Sequence, residues 1–400
     1  MGKRPFAINV IANWVTTGYG MSGGDRIFIE CARKWEEEGY EINIYTNECG
    51  LRMCQRNNLD KINYILWVSE KYNKLGIYLA GVMRTLKGIL GALKTKISRL
   101  NPPCLIYSSS DFWPDSIPAF IMKLKNKNTK WIAGFYLFAP YPWHKDSPYK
   151  GKRWFIGLFY WLTQLPIYWI VRKYADMVFV TSEPDVEKFI TRTRDRDKIV
   201  VVRGGVDTKT PAQVSEPKEK EYGAVFIGRL HPQKGGLELI DIWAKVCQKK
   251  RGAKLAIIGE GTLKSEMKEK VKRKGLNSRV VFFGFRDGLE KIRIFKSSKV
   301  VLHPAVYDSG GMAACEAMVC SLPGVSFDLP ALRTYYPRGM LKTPCFELGN
   351  FADNIVALLE DEELYAKTRQ KALEWAQEWD WDKKARDILN YMRELFKEKV

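Results

Sequence analysis

Short apolar runs alternate with longer stretches of helical periodicity along most of the chain, and this alternation is the pattern of parallel, doubly wound α/β domains. In the first half, residues 6–14, 41–46, 104–109, 130–137 and 177–181 read as strands. The second half repeats the style at 222–227, 254–258, 279–283, 299–303 and 324–327. Two Rossmann-like units are therefore expected. Between them, residues 208–221 (TKTPAQVSEPKEKE) are polar and proline-punctuated, as a surface connection would be, which puts the boundary near 185–220. The chain from Phe351 onward reads as helices, with Trp381, Ile388, Leu389, Met392 and Leu395 forming an apolar stripe on the last. The expected layout is a first domain over 1–190, a second over 205–375 and a closing helix over 376–400 that crosses back to the first.

Two stretches stand out from this pattern. Residues 154–171 (WFIGLFYWLTQLPIYWIV) hold no charge and are flanked by Lys150, Lys152 and Arg153 on one side and Arg172 and Lys173 on the other. Their length nearly suffices to span a bilayer. The strand at 177–181 must return to the same sheet, however, so a helix lying at the headgroup boundary suits the tryptophans and basic flanks better. A wholly buried core helix is the alternative. Residues 71–99 carry seven Lys or Arg and no acid, with Leu75, Leu79, Val82, Leu86, Ile89, Leu93 and Ile97 at helical spacing. This reads as a basic amphipathic helix, against the alternative of one buried face and one solvated basic face. Trp154, Trp161, Trp169, Lys87 and Lys94 are the expected membrane contacts, each cation contributing about 1 kcal/mol near an anionic surface.

Composition narrows the class. Four hundred residues exceed one hydrophobic core, and 46% apolar with 28% charged residues exclude disorder. The net charge of +20 draws polyanions, with 30 Lys and Arg against 18 Asp and Glu through residue 200. No RNP, KH, zinc-finger or helix-turn-helix signature accompanies it, so no nucleic-acid partner is expected. Eight cysteines without CxxC spacing read as reduced core thiols, and the N-terminal residues run into a strand without a signal-peptide pattern. A cytoplasmic compartment is expected.

Three motifs carry chemistry. GYGMSGG (18–24) follows the first strand and precedes a helix, where free N–H groups and the helix dipole suit a phosphate. It also matches GxGxxG, and with Glu48 ending the second strand it leaves an NAD-dependent oxidoreductase open. GRLHPQKGG (228–236) follows a strand in the second half and places Arg229 and Lys234 at a sheet's C-terminal edge, where two cations can neutralise a pyrophosphate. A solvated basic loop is the plain alternative. HPAVYDSGGMAACEAM (303–318) sets Asp308 and Glu316 eight residues apart around Gly310 and Gly311. Glu316 would fall in the second turn of a helix, and Asp308 could serve as its N-cap. His231 and His303 read as structural neighbours of strand ends.

As a set and in this order, the first glycine loop, VVRGGVD (201–207), GRLHPQKG, IIGEG, VVFFGF and the acid-x7-acid block resemble the retaining glycosyltransferase family four, membrane-associated type. The resemblance implies a GT-B fold, α/β, with two Rossmann-like domains facing a cleft and C-terminal helices. It implies that Arg229 and Lys234 hold a donor diphosphate, Glu316 the ribose, and Asp308 the transferring sugar. Gly228, Gly259, Gly261, Gly310, Gly311 and Met312 would complete the donor frame, Phe285 and Arg286 would border the base, and Gly23 and Gly24 would close over it. Asp111 and His144 are the acceptor-cleft candidates. Two positions depart from the family: the first acid is usually glutamate, and a histidine usually follows the fourth strand, where Tyr136, Leu137 and Phe138 stand. The implied mechanism is front-face displacement with retention of configuration, without a metal or cofactor beyond a UDP- or GDP-linked sugar as co-substrate. The basic, tryptophan-rich helices point to a lipid-linked acceptor and peripheral attachment to an anionic membrane at its cytoplasmic face. A GT-B enzyme on a soluble acceptor is the alternative, and a phosphorylase or epimerase shares the fold.

Overall fold

The structure is a computed structural model that describes residues 6–16, 21–96, 103–126, 128–144 and 147–396. It divides into two compact units. Unit 1 takes 1–139, 158–204 and 381–400, and unit 2 takes 140–157 and 205–380. The segment 140–157, expected in the first domain, is thus counted with the second.

Unit 1 is built on seven parallel strands: β1 (Ala7–Ile11), β2 (Ile42–Thr46), β3 (Asn63–Leu66), β4 (Cys104–Ser108), β5 (Lys130–Gly134), β6 (Met177–Val180) and β7 (Ile199–Val201). Their order is β3-β2-β1-β4-β5-β6-β7. Unit 2 has six parallel strands: β8 (Tyr222–Ile227), β9 (Leu255–Ile258), β10 (Val280–Gly284), β11 (Ser298–His303), β12 (Gly324–Phe327) and β13 (Met340–Thr343). They run β10-β9-β8-β11-β12-β13. Each order reverses direction once, between β1 and β4 and between β8 and β11, and such a switch point opens a crevice at the strands' C-terminal ends.

Strands of unit 2 are apolar on both faces because helices cover both. Ala224 and Phe226 pack on one side with Leu255, Ile257, Val300 and Leu302, while Val225, Ala256, Ile258 and Val301 pack on the other. The three strands that the apolar pattern did not predict, β3, β7 and β13, all lie at sheet edges. They are three or four residues long, and β3 has no buried residue, so they offer little apolar pattern to read.

The closing helix, Trp381–Glu394, belongs to unit 1 and packs on helix Gly23–Glu37. Its buried face is Trp381, Ala385, Ile388, Leu389 and Met392. The indole of Trp35 donates to the Ala385 carbonyl at 3.1 Å, and Arg393 pairs with Glu38 at 3.1 Å.

Helix Gly76–Lys94 sets aside the alternative reading of 71–99, in which the apolar face is buried. Its inward face is Ala80, Arg84, Thr85, Gly88 and Ala92, packed on helix Trp113–Lys125, whereas Leu79, Val82, Leu86, Leu90 and Leu93 are exposed. Small residues let the two helices approach closely, and the large ones are left outside. Arg84, expected among the solvated cations, is fully buried. Ile97 and Arg99 of that reading lie outside the described residues.

Helix Trp154–Tyr174 is likewise not a wholly buried core helix. Phe155, Ile156, Phe159, Leu162 and Trp169 are exposed, while Gln164, Ile167 and Val171 face inward. Gln164 Nε2 donates to Asp111 at 2.7 Å and to the Leu137 carbonyl at 2.8 Å, and its Oε1 accepts the Ala139 amide at 2.7 Å, tying the helix to the sheet. Within unit 1, Tyr78 and Phe159 meet edge to face at 4.6 Å, joining the exposed faces of both helices. Among the described residues, Glu70–Lys94 and Gly151–Tyr174 are long and apolar enough to cross a membrane by length and composition.

Truncating Leu389 to alanine should cost about 2–5 kcal/mol, because the site is fully buried between two helices that cannot collapse around the void. Urea unfolding followed by hydrogen exchange in unit 1 measures it; an unchanged midpoint would show that the closing helix does not stabilise this unit.

Candidate functional site

The unit 2 site is assembled from two loops that leave adjacent strands at the switch point, one after β8 and one after β11. Gln233, buried in the first loop, accepts the amides of Val306 and Tyr307 from the second at 3.0 and 3.2 Å. Gly235 adopts φ +66° and sits so close to the second loop that a Cβ there would lie 1.9 Å from the Pro304 carbonyl oxygen, so only glycine fits. Lys234 then places its ammonium 2.5 Å from Asp308 Oδ2. The two candidates taken from separate motifs are therefore one ion pair.

Asp308 is heavily used. Its Oδ1 accepts the Ser309 and Gly310 amides at 3.0 and 3.4 Å, a local turn rather than a helix N-cap. His303 Nε2 lies 3.3 Å from Oδ2, an ion contact too misaligned to count as a formed hydrogen bond. Burial acts to raise the Asp308 carboxyl, but the Lys234 ammonium and His303 outweigh it and hold the group well below the usual carboxylate range. Burial in turn lowers His303, with Asp308 opposing. His303, read as structural from the sequence, thus touches the central carboxylate.

Glu316 stands in the second turn of helix Met312–Met318, only 11% of its side chain exposed, and pairs with Lys291 at 3.0 Å. Lys291 also pairs with Asp287 at 2.7 Å. Neither Lys291 nor Gln233 was legible beforehand: one partners Glu316 from another helix, and the other acts through its carbonyl. Arg229 is exposed, and among the described residues no acidic side chain pairs with it. Beside it His231 is half-buried, its imidazole pushed down to about 4 by burial and by Arg229, Lys234 and Arg153.

The remaining donor-frame residues take these places. Gly228 follows β8, and Gly259 and Gly261 lie in the loop after β9, their backbones close against Gly228 and Leu230. Gly310 and Gly311 face the rings of Tyr335 and Tyr336, where a Cβ would come within 2.7 Å, so packing alone demands them. Met312 opens its helix, Phe285 is exposed, and Arg286 pairs with Glu290 at 3.4 Å.

In unit 1, Gly18 and Gly20 of the glycine loop lie outside the described residues. Ser22 caps helix Gly23–Glu37 in a capping box with Asp25. Gly23 faces open space, whereas a Cβ on Gly24 would meet Tyr136 at 3.0 Å and the Ser109 carbonyl at 3.1 Å. The loop after β1 is clamped from two sides: Asp115 accepts the Asn13 and Trp14 amides at 2.6 and 3.0 Å, and Arg84 donates to the Asn13 and Val15 carbonyls at 2.9 and 2.8 Å. Asp111, after β4, is buried and bonded to Gln164, and burial pushes its carboxyl up to about 6. His144 is exposed and belongs to unit 2. Glu48 begins helix Glu48–Arg56 and accepts the Glu70 amide at 2.5 Å.

Residues 207–375 match the family model of glycosyl transferases group 1. That span is similar to the domain of group 1 glycosyltransferases. A glycosyltransferase of Methanocaldococcus jannaschii is 27% identical over 315 residues, 75% of this chain and 70% of that one. The D-inositol 3-phosphate glycosyltransferase of Corynebacterium efficiens is 25% identical over 227 residues, 52% of this chain and 54% of its own. Two solved structures share the fold at a TM-score of 0.71: Anabaena HepE in complex with UDP and glucose (17% identical, 97% of this chain and 99% of that) and the sucrose-phosphate synthase of Thermosynechococcus elongatus (18%, 98% and 99%). The two parallel-sheet units are the GT-B fold, and the matches support glycosyltransferase activity.

The two units carry opposite acid responses. In unit 1, burial raises Asp111 to about 6 and Asp115 to about 7, so their stabilising protonation is complete below pH 4 and is lost as pH rises through those values. In unit 2 the lowered His231 and His303 contribute stability above about pH 6.5 that is lost as pH falls toward 4. Hydrogen exchange between pH 7 and pH 4 should therefore show β8 and β11 opening more readily while β1 and β4 tighten. Asp115→Asn, which keeps an acceptor for the Asn13 and Trp14 amides, should flatten the unit 1 response; an unaltered slope would remove Asp115 as its source.

Proposed function

We propose that this chain is a retaining, metal-independent glycosyltransferase that moves a sugar from a nucleoside diphosphate sugar, UDP- or GDP-linked, to a lipid-linked acceptor at the cytoplasmic face of a membrane. The observation that carries the donor half is the Lys234–Asp308 pair at the β8/β11 switch point, with the unpaired Arg229 on the same loop as Lys234. A diphosphate arriving there meets one guanidinium and one ammonium. Both are closest in value to the reaction when the leaving group gains charge, so they stabilise the transition state more than the bound donor. The leaving phosphate then takes the acceptor's proton. Glu316, held by Lys291, is positioned as a fixed acceptor for ribose hydroxyls, and Asp308 for hydroxyls of the transferring sugar. HepE, whose structures hold UDP, glucose and UDP-glucose, supports a UDP-linked donor as the first to try.

The membrane half rests on the outward apolar faces of helices Gly76–Lys94 and Trp154–Tyr174, together with a basic sequence in which no acid stands between Glu70 and Asp111. Exposed apolar surface on this scale marks an interaction site. Acceptor binding falls to unit 1, with buried Asp111, in the loop after β4, as its candidate carboxylate.

Lys234→Ala should lower donor-dependent turnover by about 10²–10³-fold, and Glu316→Gln should weaken donor binding with a smaller loss of rate. Thermal stabilisation by UDP- and GDP-sugars reads the first half; stabilisation by NAD alone would overturn it. The anomeric coupling of the product by NMR must match that of the donor, and an inverted product ends the retaining mechanism. Leu86→Asp with Trp169→Asp should release the protein from anionic vesicles at low salt without altering hydrolysis of the donor by water; undiminished binding would refute the surface.

A further inference from the structure

Beside the outward face of helix Gly76–Lys94, unit 1 has a cavity of about 250 Å³ that the donor chemistry does not use. It is lined by Leu66, Trp67, Lys71, Tyr72 and Lys87, with Glu48, Val68 and Ser69 completing it. We propose that this cavity binds the phosphate headgroup of an anionic membrane phospholipid, whose hydrocarbon chains then lie along Leu86, Leu90 and Leu93. The inference rests on the membrane reading above and makes it specific.

Three observations carry it. First, Lys71 and Lys87 both line the cavity and are exposed, and among the described residues neither pairs with an acidic side chain. They come from different elements, the turn Glu70–Leu75 and the helix after it, so the fold converges two cations that the sequence keeps sixteen positions apart. Second, the floor is apolar and fixed: Trp67 packs so tightly beneath Gly91 that a Cβ there would lie 2.6 Å from the indole, and Val68 is buried. Third, apolar side chains stand on the cavity's own elements: Leu66, which lines it, and Leu86, Leu90 and Leu93 of the helix that carries Lys87 are half exposed. A phosphate beside a hydrocarbon chain is the chemistry that matches cations beside an apolar stripe.

The one carboxylate, Glu48, does not cancel this. Its Oε2 accepts the Glu70 amide at 2.5 Å, two lysines outnumber it, and its other oxygen can accept a headgroup hydroxyl. The volume lies below the roughly 300–1,000 Å³ typical of pockets for drug-sized ligands, so a compact headgroup fits and a whole lipid does not.

The test uses the full chain and vesicles of phosphatidylcholine with or without phosphatidylglycerol. Lys71→Ser with Lys87→Ser should lower partitioning onto the phosphatidylglycerol vesicles by about tenfold or more, two surface cations being lost. Lys74→Ser with Lys94→Ser removes the same charge from the same stretch outside the cavity and should lower it by about threefold or less. In parallel, monomeric short-chain phosphatidylglycerol should slow hydrogen exchange at residues 66–72 of the wild-type chain. Equal losses in the two double variants, or no protection at 66–72, would overturn the headgroup site while leaving the membrane reading standing. Protection by inorganic phosphate as strong as by the lipid would make it a free-phosphate site and overturn the lipid assignment. A wild-type chain that partitions onto neither vesicle overturns both readings together.

Discussion

The second unit depends on one seam, the stitching of the loop after β8 to the loop after β11. A parallel sheet fixes where its strands end but leaves the loops beyond them without ladder partners. Here the Gln233 carbonyl accepts two amides of the facing loop, and Gly235 lets the backbones close to a distance no other residue permits. Lys234 is then carried to Asp308 by main-chain geometry rather than by the reach of a flexible side chain. An ammonium on a four-carbon stem is a poor positional device by itself. Between two locked loops it becomes a fixed charge.

That fixed charge has a cost and a use. Asp308 is covered on all but 9% of its side chain, and a carboxylate so placed survives ionised only because Lys234 and His303 stand against it. The pair is therefore neutral overall, and the site's free positive charge is Arg229, which points to solvent. The histidine is pulled both ways: burial lowers its imidazole while Asp308 opposes, 3.3 Å away.

Much of this was legible in the sequence, and the parts that were not share a cause. Central strands announce themselves because both faces are buried, so β1, β4, β8 and β11 read as continuous apolar runs; β3, β7 and β13 sit at edges and are too short to do so. Arg229, Lys234, Asp308 and Glu316 were marked by their spacing from strand ends and glycines. Lys291, His303 and Gln233 were not, since each acts through a partner or a carbonyl that only the fold brings near. The helix at 76–94 was legible as a helix with an apolar stripe, but which residues take its inner face was not. Ala80, Gly88 and Ala92 hold that inner face because the neighbouring helix leaves no room for more, a constraint that only the packed pair shows.

The small inner face has a second consequence. Choosing small residues for the inner face brings the helix near enough for Arg84 to reach past its neighbour and donate to the carbonyls of Asn13 and Val15, opposite the Asp115 clamp on the same turn. Had the leucines been buried, the helix would stand farther off and the guanidinium would end in an apolar gap, a costly place for a charge without partners. The same packing choice therefore leaves an apolar face outside and delivers a buried cation to the loop beyond β1. A surface helix and a loop at the switch point of unit 1 are in this way held by one set of contacts, and neither can shift far without straining the other.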